Sequence, residues 1–428
     1  MTEHKHFKRR VRERMARTGE TYSTALRHVT AGDPARVHFV SPGRARSGAG
    51  SHHESALLGR VLARAGIELS DPMLAGLGGG IGFMYFVFEY EGHHPMVTVV
   101  AQAHPEPMIP LALARAGVAH EVRRTGSAKV AERNLRETLS QGRAAICRVG
   151  RFALPWRPGF PFPDPLEVAV IGLDGDVVLV DDRCVEPQEL PLSDFMAAWS
   201  SVGKSRHHLI SVTGDGPDAD LSGAARASIA DTMAKLTGPV LGNVFDVNFG
   251  LSGMRKLAAQ LGDLRSKQGW ARRFADPEAF FHGMTRLHEC LEAQYGAPGA
   301  MRPLYADFLD EAADVVPGLP GEAATLYREA GRAWSALAGA AIDEAGIPAD
   351  YRRIAAERDE LLRTSGVRGA ARLRELHEQA AKLPERYAAA DPLGPAGRTE
   401  VLSRLAERAE HAVRLEERAV ASLAEIRP

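Results

Sequence analysis

The sequence predicts an α+β domain built around a central, mainly antiparallel sheet, followed by an all-α C-terminal domain. Three observations carry this expectation. Between residues 83 and 212, short β-branched and aromatic runs alternate with turn signals, and several lie close enough to pair as hairpins. From about Ala225 onward strand signals nearly vanish, and apolar residues recur at helical spacing, as in Leu257, Leu261 and Leu264. The segment 350–428 is rich in Ala, Arg, Glu and Leu with opposite charges four residues apart, which is a helical composition.

Residues 1–47 form a basic arm in which Lys5, Lys8, Arg9, Arg10, Arg12, Arg14 and Arg17 crowd together. Phe7, Val11 and Met15 recur every fourth residue, so a short amphipathic helix is expected, ended by Gly19. A second helix starts at Thr21 or Ser23. Such an arm is either a solvated layer on the body or a contact for an acidic partner. Residues 46–50 are small and polar and read as a linker. A helix is then expected over 53–65, with Leu57, Leu58, Val61 and Leu62 on one side and Gly66 at its C-terminal cap. The glycine-rich run 76–82 reads as a loop. Residues 83–90 and 96–101 are strands of a hairpin turning through Glu91, Gly92, His93 and His94.

A helix follows over 129–139, a strand over 144–149, and a long Pro/Phe loop over 154–165. Strands over 167–171 and 177–180 flank the turn Asp174-Gly175, a helix covers 192–199, and a closing strand covers 207–212. The expected domains are 48–215 for the α+β part and 222–345 for the helical part. A tail over 350–428 reads as two or three surface helices, broken at Asp391-Pro392-Leu393-Gly394-Pro395.

The chain of 428 residues is long enough for more than one core, and its formal net charge of −1 gives no argument for nucleic acid or a membrane surface. Its 3 cysteines, Cys147, Cys184 and Cys290, form no CxxC pair, so neither a disulfide framework nor a structural zinc knot is expected. No apolar run is long enough to span a bilayer, and no apolar stretch follows the basic N-terminus, so a cytoplasmic location is expected. The glycine run does not satisfy GxGxxG and precedes a strand. Gly203-Lys204-Ser205 lacks the first glycine of a phosphate loop. His282, His288, His377 and His411 do not form the matched Glu and Glu-x-x-His sets of a di-iron bundle, and read as a solvated face.

Three stretches carry a resemblance. They are Ser51-His52-His53-Glu54-Ser55-Ala56-Leu57-Leu58, Gly66-Ile67-Glu68-Leu69-Ser70-Asp71-Pro72-Met73, and the glycine run to Phe83. Residues 168–174 and 180–183 continue it. Together they resemble the N-terminal domain of the butirosin-biosynthesis protein H family. Residues 248–257 and 302–312 are similar to the helical domain that often follows in that family. The resemblance covers roughly 50–345 and implies a papain-like fold and an acyltransferase of natural-product biosynthesis. In such an enzyme a cysteine takes an acyl group from a carrier-protein thioester and an amine receives it.

This chain departs from that pattern where the chemistry sits. His53 stands at the cysteine position, Glu167 best matches the histidine, and Asp182, or its neighbour Asp181, keeps the aspartate. A thiolate–imidazole pair cannot form from these positions. The expected catalytic set is therefore His53 as general base, Glu167 as its orienter and Asp182 in support, for direct transfer from a carrier thioester to an amine. Backbone N–H groups at the helix start near Ser51 would face the oxyanion. His52, Glu54, Gly80 and His94 are expected to bind substrate. No resident cofactor is expected on that reading.

A second reading makes His53, Glu167 and Asp182 the ligands of a divalent metal, with His52, His93, His94 and His104 as additional candidates. A third leaves the site inactive, as a module binding a carrier protein or a ligand. The expected partners are an acyl carrier protein and an amine acceptor, with the helical tail a candidate homodimer surface.

Overall fold

The computed structural model describes residues 52–159, 164–203, 206–214, 220–424 and 426. The basic arm, the linker and Ser51 lie outside them. Helix α1 (His53–Arg64) buries Leu57, Leu58, Val61 and Leu62, the stripe its spacing predicts. Helix α2 (Asp71–Leu77) follows, opened by Ser70, whose Oγ accepts the Met73 N–H at 3.1 Å. The run expected as a loop therefore begins in a helix: Gly76 and Leu77 close α2, and only Gly79 and Gly80 take positive φ, +114° and +66°, to turn into the next strand. Helical Gly76 is glycine because bulk is excluded there; a Cβ would sit 2.1 Å from the Phe308 ring.

Strands β1 (Ile81–Phe88) and β2 (Met96–Gln102) pair as the expected antiparallel hairpin. They form their own two-stranded sheet and do not join the main one. Helix α3 (Met108–Arg115), strand β3 (His120–Arg123) and helix α4 (Ala128–Ser140) lead to β4 (Ala145–Gly150). Then come β5 (Pro165–Asp174), β6 (Val177–Asp181), β7 (Gln188–Pro191), α5 (Leu192–Ser200) and β8 (Leu209–Val212). These build a six-stranded sheet in the order β3-β8-β4-β5-β6-β7, antiparallel throughout.

Alternation along the strands divides the interior. Ile146, Ala169 and Ile210 join the core that holds α1, while Cys147, Val149, Val168, Val170 and Leu209 join a second core with α4 and α5.

The rest of the described chain is helical: α6 (Leu221–Thr237), α7 (Gly250–Gly262), α8 (Trp270–Arg273), α9 (Pro277–Glu292), α10 (Arg302–Ala313), α11 (Gly321–Asp343), α12 (Ala349–Thr364), α13 (Ala370–Ala381), α14 (Leu383–Ala390) and α15 (Gly394–Ser422). The layout is thus α+β followed by all-α, as the sequence predicts.

The expectation of a tail made of surface helices is corrected by α15. That helix buries Val401, Leu402, Leu405, Ala406, Ala409, Ala412, Val413 and Ala419, and packs on α7 and α11. Its alanines let the backbones approach closely, so a highly charged sequence still presents a continuous apolar stripe. The same core runs from Leu57 to Leu423 and takes in the β1–β2 hairpin.

A buried polar node sits in that core. Arg302 and Glu416, both fully enclosed, form an ion pair. Arg302 also donates to the carbonyls of Gly82 at 3.1 Å and Ala300 at 2.7 Å, and Trp334 Nε1 donates to Glu416 at 2.7 Å. The start of β1, α10, α11 and α15 therefore share one set of charges.

Candidate active site at the start of α1

His52 caps α1: its Nδ1 accepts the Ser55 N–H at 3.4 Å. The other ring nitrogen must then carry the proton, and Nε2 donates to Gln102 Oε1 at 3.0 Å, at the inner end of β2. Burial holds this imidazole down at a pKa of about 4, so the ring is neutral and structural.

His53, the first helical residue, places Nε2 2.7 Å from the main-chain carbonyl of Glu167 on β5. A carbonyl only accepts, so this bond assigns the proton to Nε2 and leaves a lone pair on Nδ1. Burial first, and then the guanidiniums of Arg183 and Arg157, hold the ring well below the ordinary imidazole value. The result is a neutral imidazole whose tautomer is fixed by main chain, on a residue that is half-buried as a whole.

The Glu167 carboxylate does not reach for the imidazole. Arg148 lies directly across the β4–β5 ladder, and its Nε donates to Glu167 Oε1 at 2.6 Å. Arg148 shares a strand face with Ile146, and Glu167 with Ala169, so both side chains lie on the α1 side of the sheet. Glu167 Oε2 is buried without a hydrogen-bond partner. Burial outweighs the attraction of Arg148, and the nearby Glu54 adds repulsion, so the carboxyl is pushed up to about 7. Glu54, in the first turn of α1, is also raised by burial and is hydrogen-bonded to Gln102. Beyond Arg148, the main-chain N–H of that residue donates to the His208 carbonyl at 3.3 Å. Both ring nitrogens of His208 are buried without partners, and burial lowers its pKa to about 4.

Asp182 lies past the end of β6 and turns the other way. Trp156 Nε1 donates to its Oδ2 at 2.6 Å, and Trp156 belongs to the second core. Arg157 donates to the same oxygen at 3.2 Å. Its neighbour Asp181 is the one on the α1 side, paired with Arg60 of α1 at 3.0 Å. The Glu167 and Asp182 carboxylates thus take different partners, and two guanidiniums whose charges act on His53, Arg157 and Arg183, also interact with Asp182.

The other expected site residues are dispersed. Gly80 faces Thr232 of α6 and Tyr305 of α10; a Cβ there would lie 2.6 Å from Thr232 Oγ1. His94 in the β1–β2 turn sits beside Glu278 and His282 of α9. His104 stacks on Phe249, with ring centroids 6.3 Å apart. Among the described residues, the group of three whose ligand atoms could share a metal ion is His94, Glu278 and His282. His53, Glu167 and Asp182 instead spend their polar atoms on a carbonyl, Arg148 and Trp156. Burial raises the thiols of Cys147, Cys184 and Cys290, so none of them has the character of an activated nucleophile.

Arg148, Gln102, Arg157 and His208 were not anticipated from the sequence. Arg148 was detectable, since a cation in the otherwise apolar run Ala145-Ile146-Cys147-Arg148-Val149 is placed in a buried strand only when a partner awaits it.

Residues 52–183 match the family described as butirosin biosynthesis protein H, N-terminal. Residues 192–364 match a domain of unknown function (DUF4872). No curated protein matches the chain. No helix among the described residues is long and apolar enough to cross a membrane.

Proposed function

Through residues 52–183 the chain belongs to the butirosin biosynthesis protein H family, and we propose on that basis that it is a biosynthetic acyl-transfer enzyme working without a covalent acyl-enzyme. The donor is a thioester on an acyl carrier protein and the acceptor an amine, so the product is an amide. The observation that carries this reading is the His53 ring. It is neutral, and its tautomer leaves Nδ1 as a lone-pair base; in this reading it takes the place of the family's nucleophile.

The amine nitrogen attacks the thioester carbon, and the tetrahedral intermediate places a negative charge on the former carbonyl oxygen. His53 Nδ1 accepts the proton that the nitrogen sheds. The C–S bond then breaks, and the proton passes to the departing thiolate, giving amide and free carrier thiol. The guanidiniums of Arg157 and Arg183, already felt by the ring, supply the positive field for the oxyanion. Glu167, with its carboxyl at about 7, is a group able to exchange a proton near neutral pH. The location is the cytoplasm in this reading, where carrier-protein thioesters are made. The helical tail as a dimer surface belongs to the same proposal.

A second reading has support in one observation. The depression of His53 makes it a weak base, which suits a module that binds an acylated carrier without turning it over. Acyl N-acetylcysteamine thioesters of varied chain length, offered with a panel of primary amines and followed by thiol release, separate the two. Transfer requires turnover in the parent protein and at least about a hundredfold loss in His53→Ala, the scale of a general base. Undiminished turnover in His53→Ala removes His53 from the mechanism. Binding of the thioester without thiol release supports the module.

A further inference from the structure

We propose that the chain carries a zinc site, apart from the His53 region, made by His94, Glu278 and His282. Asp276 caps α9 by accepting the Ala279 N–H at 2.9 Å, so the helix begins sharply and Glu278 lies in its first turn. His282 is four residues further on, which places it on the same face as Glu278. The β1–β2 turn lays His94 against that face: its Nε2 is 3.6 Å from Glu278 Oε1, and its ring stacks on His282 with centroids 5.4 Å apart.

One ligand atom from each residue falls within 4.8 Å of the others. Ligand atoms on a tetrahedral zinc stand about 3.4 Å apart, given metal–ligand bonds of ~2.1 Å. Rotation of partly exposed side chains closes the remaining gap, and the backbone need not move. Imidazole and carboxylate together suit zinc, and the open fourth position is left for water. Two imidazoles stacked face to face repel once protonated, and a cation between them and a carboxylate removes that conflict. The site would pin the outer end of β2 to α9. The inner end of β2 carries Gln102, the partner of His52.

The test uses the full chain stripped of metal with a chelator, then titrated with Zn2+ against a chromophoric competitor and by thermal melting. One equivalent should bind and raise Tm. His94→Ala and His282→Ala should each weaken binding by at least about tenfold and abolish the Tm rise; Glu278→Gln should weaken it less. His53→Ala should bind zinc as the parent does, which separates this site from any metal near α1. Metal-free melts that coincide with the parent show that the variants are folded. The proposal is overturned if the His94→Ala/His282→Ala double variant binds zinc like the parent, if the parent takes up no zinc, or if His53→Ala alone removes it.

Discussion

Replacing Glu167 by glutamine tests the electrostatics of the α1 site without disturbing its shape. The carboxyl is raised from its ordinary 4.5 to about 7 in the folded protein, chiefly by burial, with Arg148 opposing. A carboxyl whose folded value is raised favours folding in its protonated form. That contribution is complete below pH 4.5 and is lost as pH rises through about 7. Raising the carboxyl from 4.5 to about 7 corresponds to ~3 kcal/mol.

A glutamine amide at this position would mimic the protonated form at every pH. The stability of Glu167→Gln relative to the parent should therefore grow by about 3 kcal/mol between pH 4.5 and pH 8, and change little beyond. Urea unfolding at half-unit pH intervals measures this, and other titrating groups cancel because both proteins contain them. Stability curves that run parallel from pH 4.5 to 8 would refute the reasoning, since they would mean that Glu167 is ionised throughout.

Other perturbations have equally definite outcomes. His208, with its pKa lowered from 6.5 to about 4, should contribute stability above pH 6.5 that is lost as pH falls toward 4, so His208→Leu should gain on the parent over that window in acid melts. Glu416→Ala should cost about 3–5 kcal/mol in chemical unfolding, because it leaves Arg302 charged in a dry interior; replacing both residues by Met should cost less than the single change. Gly80→Ala, which adds a Cβ at a φ of +66° and 2.6 Å from Thr232 Oγ1, should lower stability by roughly 1–3 kcal/mol while leaving substrate KM unchanged in whatever protein remains folded.

The sequence reveals the periodic elements well, because their cause is local. The α1 stripe, the hairpin, the strand pair around Asp174-Gly175 and the change to helices after residue 220 all follow from the spacing of apolar residues. What spacing does not encode is which strands share a sheet. The β1–β2 hairpin looks like part of the main sheet, yet it stands alone, because α7 and α9 cover it in place of further strands. Nor does charge density reveal burial: α15 reads as surface until Trp334 and Arg302 are seen converging on Glu416.

At the site, position 53 and position 167 do come together, but through a peptide carbonyl, a contact that depends on main-chain path rather than residue type. Asp182 shows the complementary effect. The register Ala169↔Asp181 sets Asp181 on the α1 face, while Asp182, past the end of β6, turns to Trp156.

The ion pair between Arg302 and Glu416 has a bearing on how this molecule can be divided. Its acid comes from beyond residue 364, where the second matched region stops, while its base reaches back to the carbonyl of Gly82 in the first. A chain shortened before residue 394 would strand a guanidinium in hydrocarbon beside the strand that begins at Ile81. The last helix is accordingly a keystone for the amino-terminal half, and fragments trimmed to the two matched regions should be insoluble.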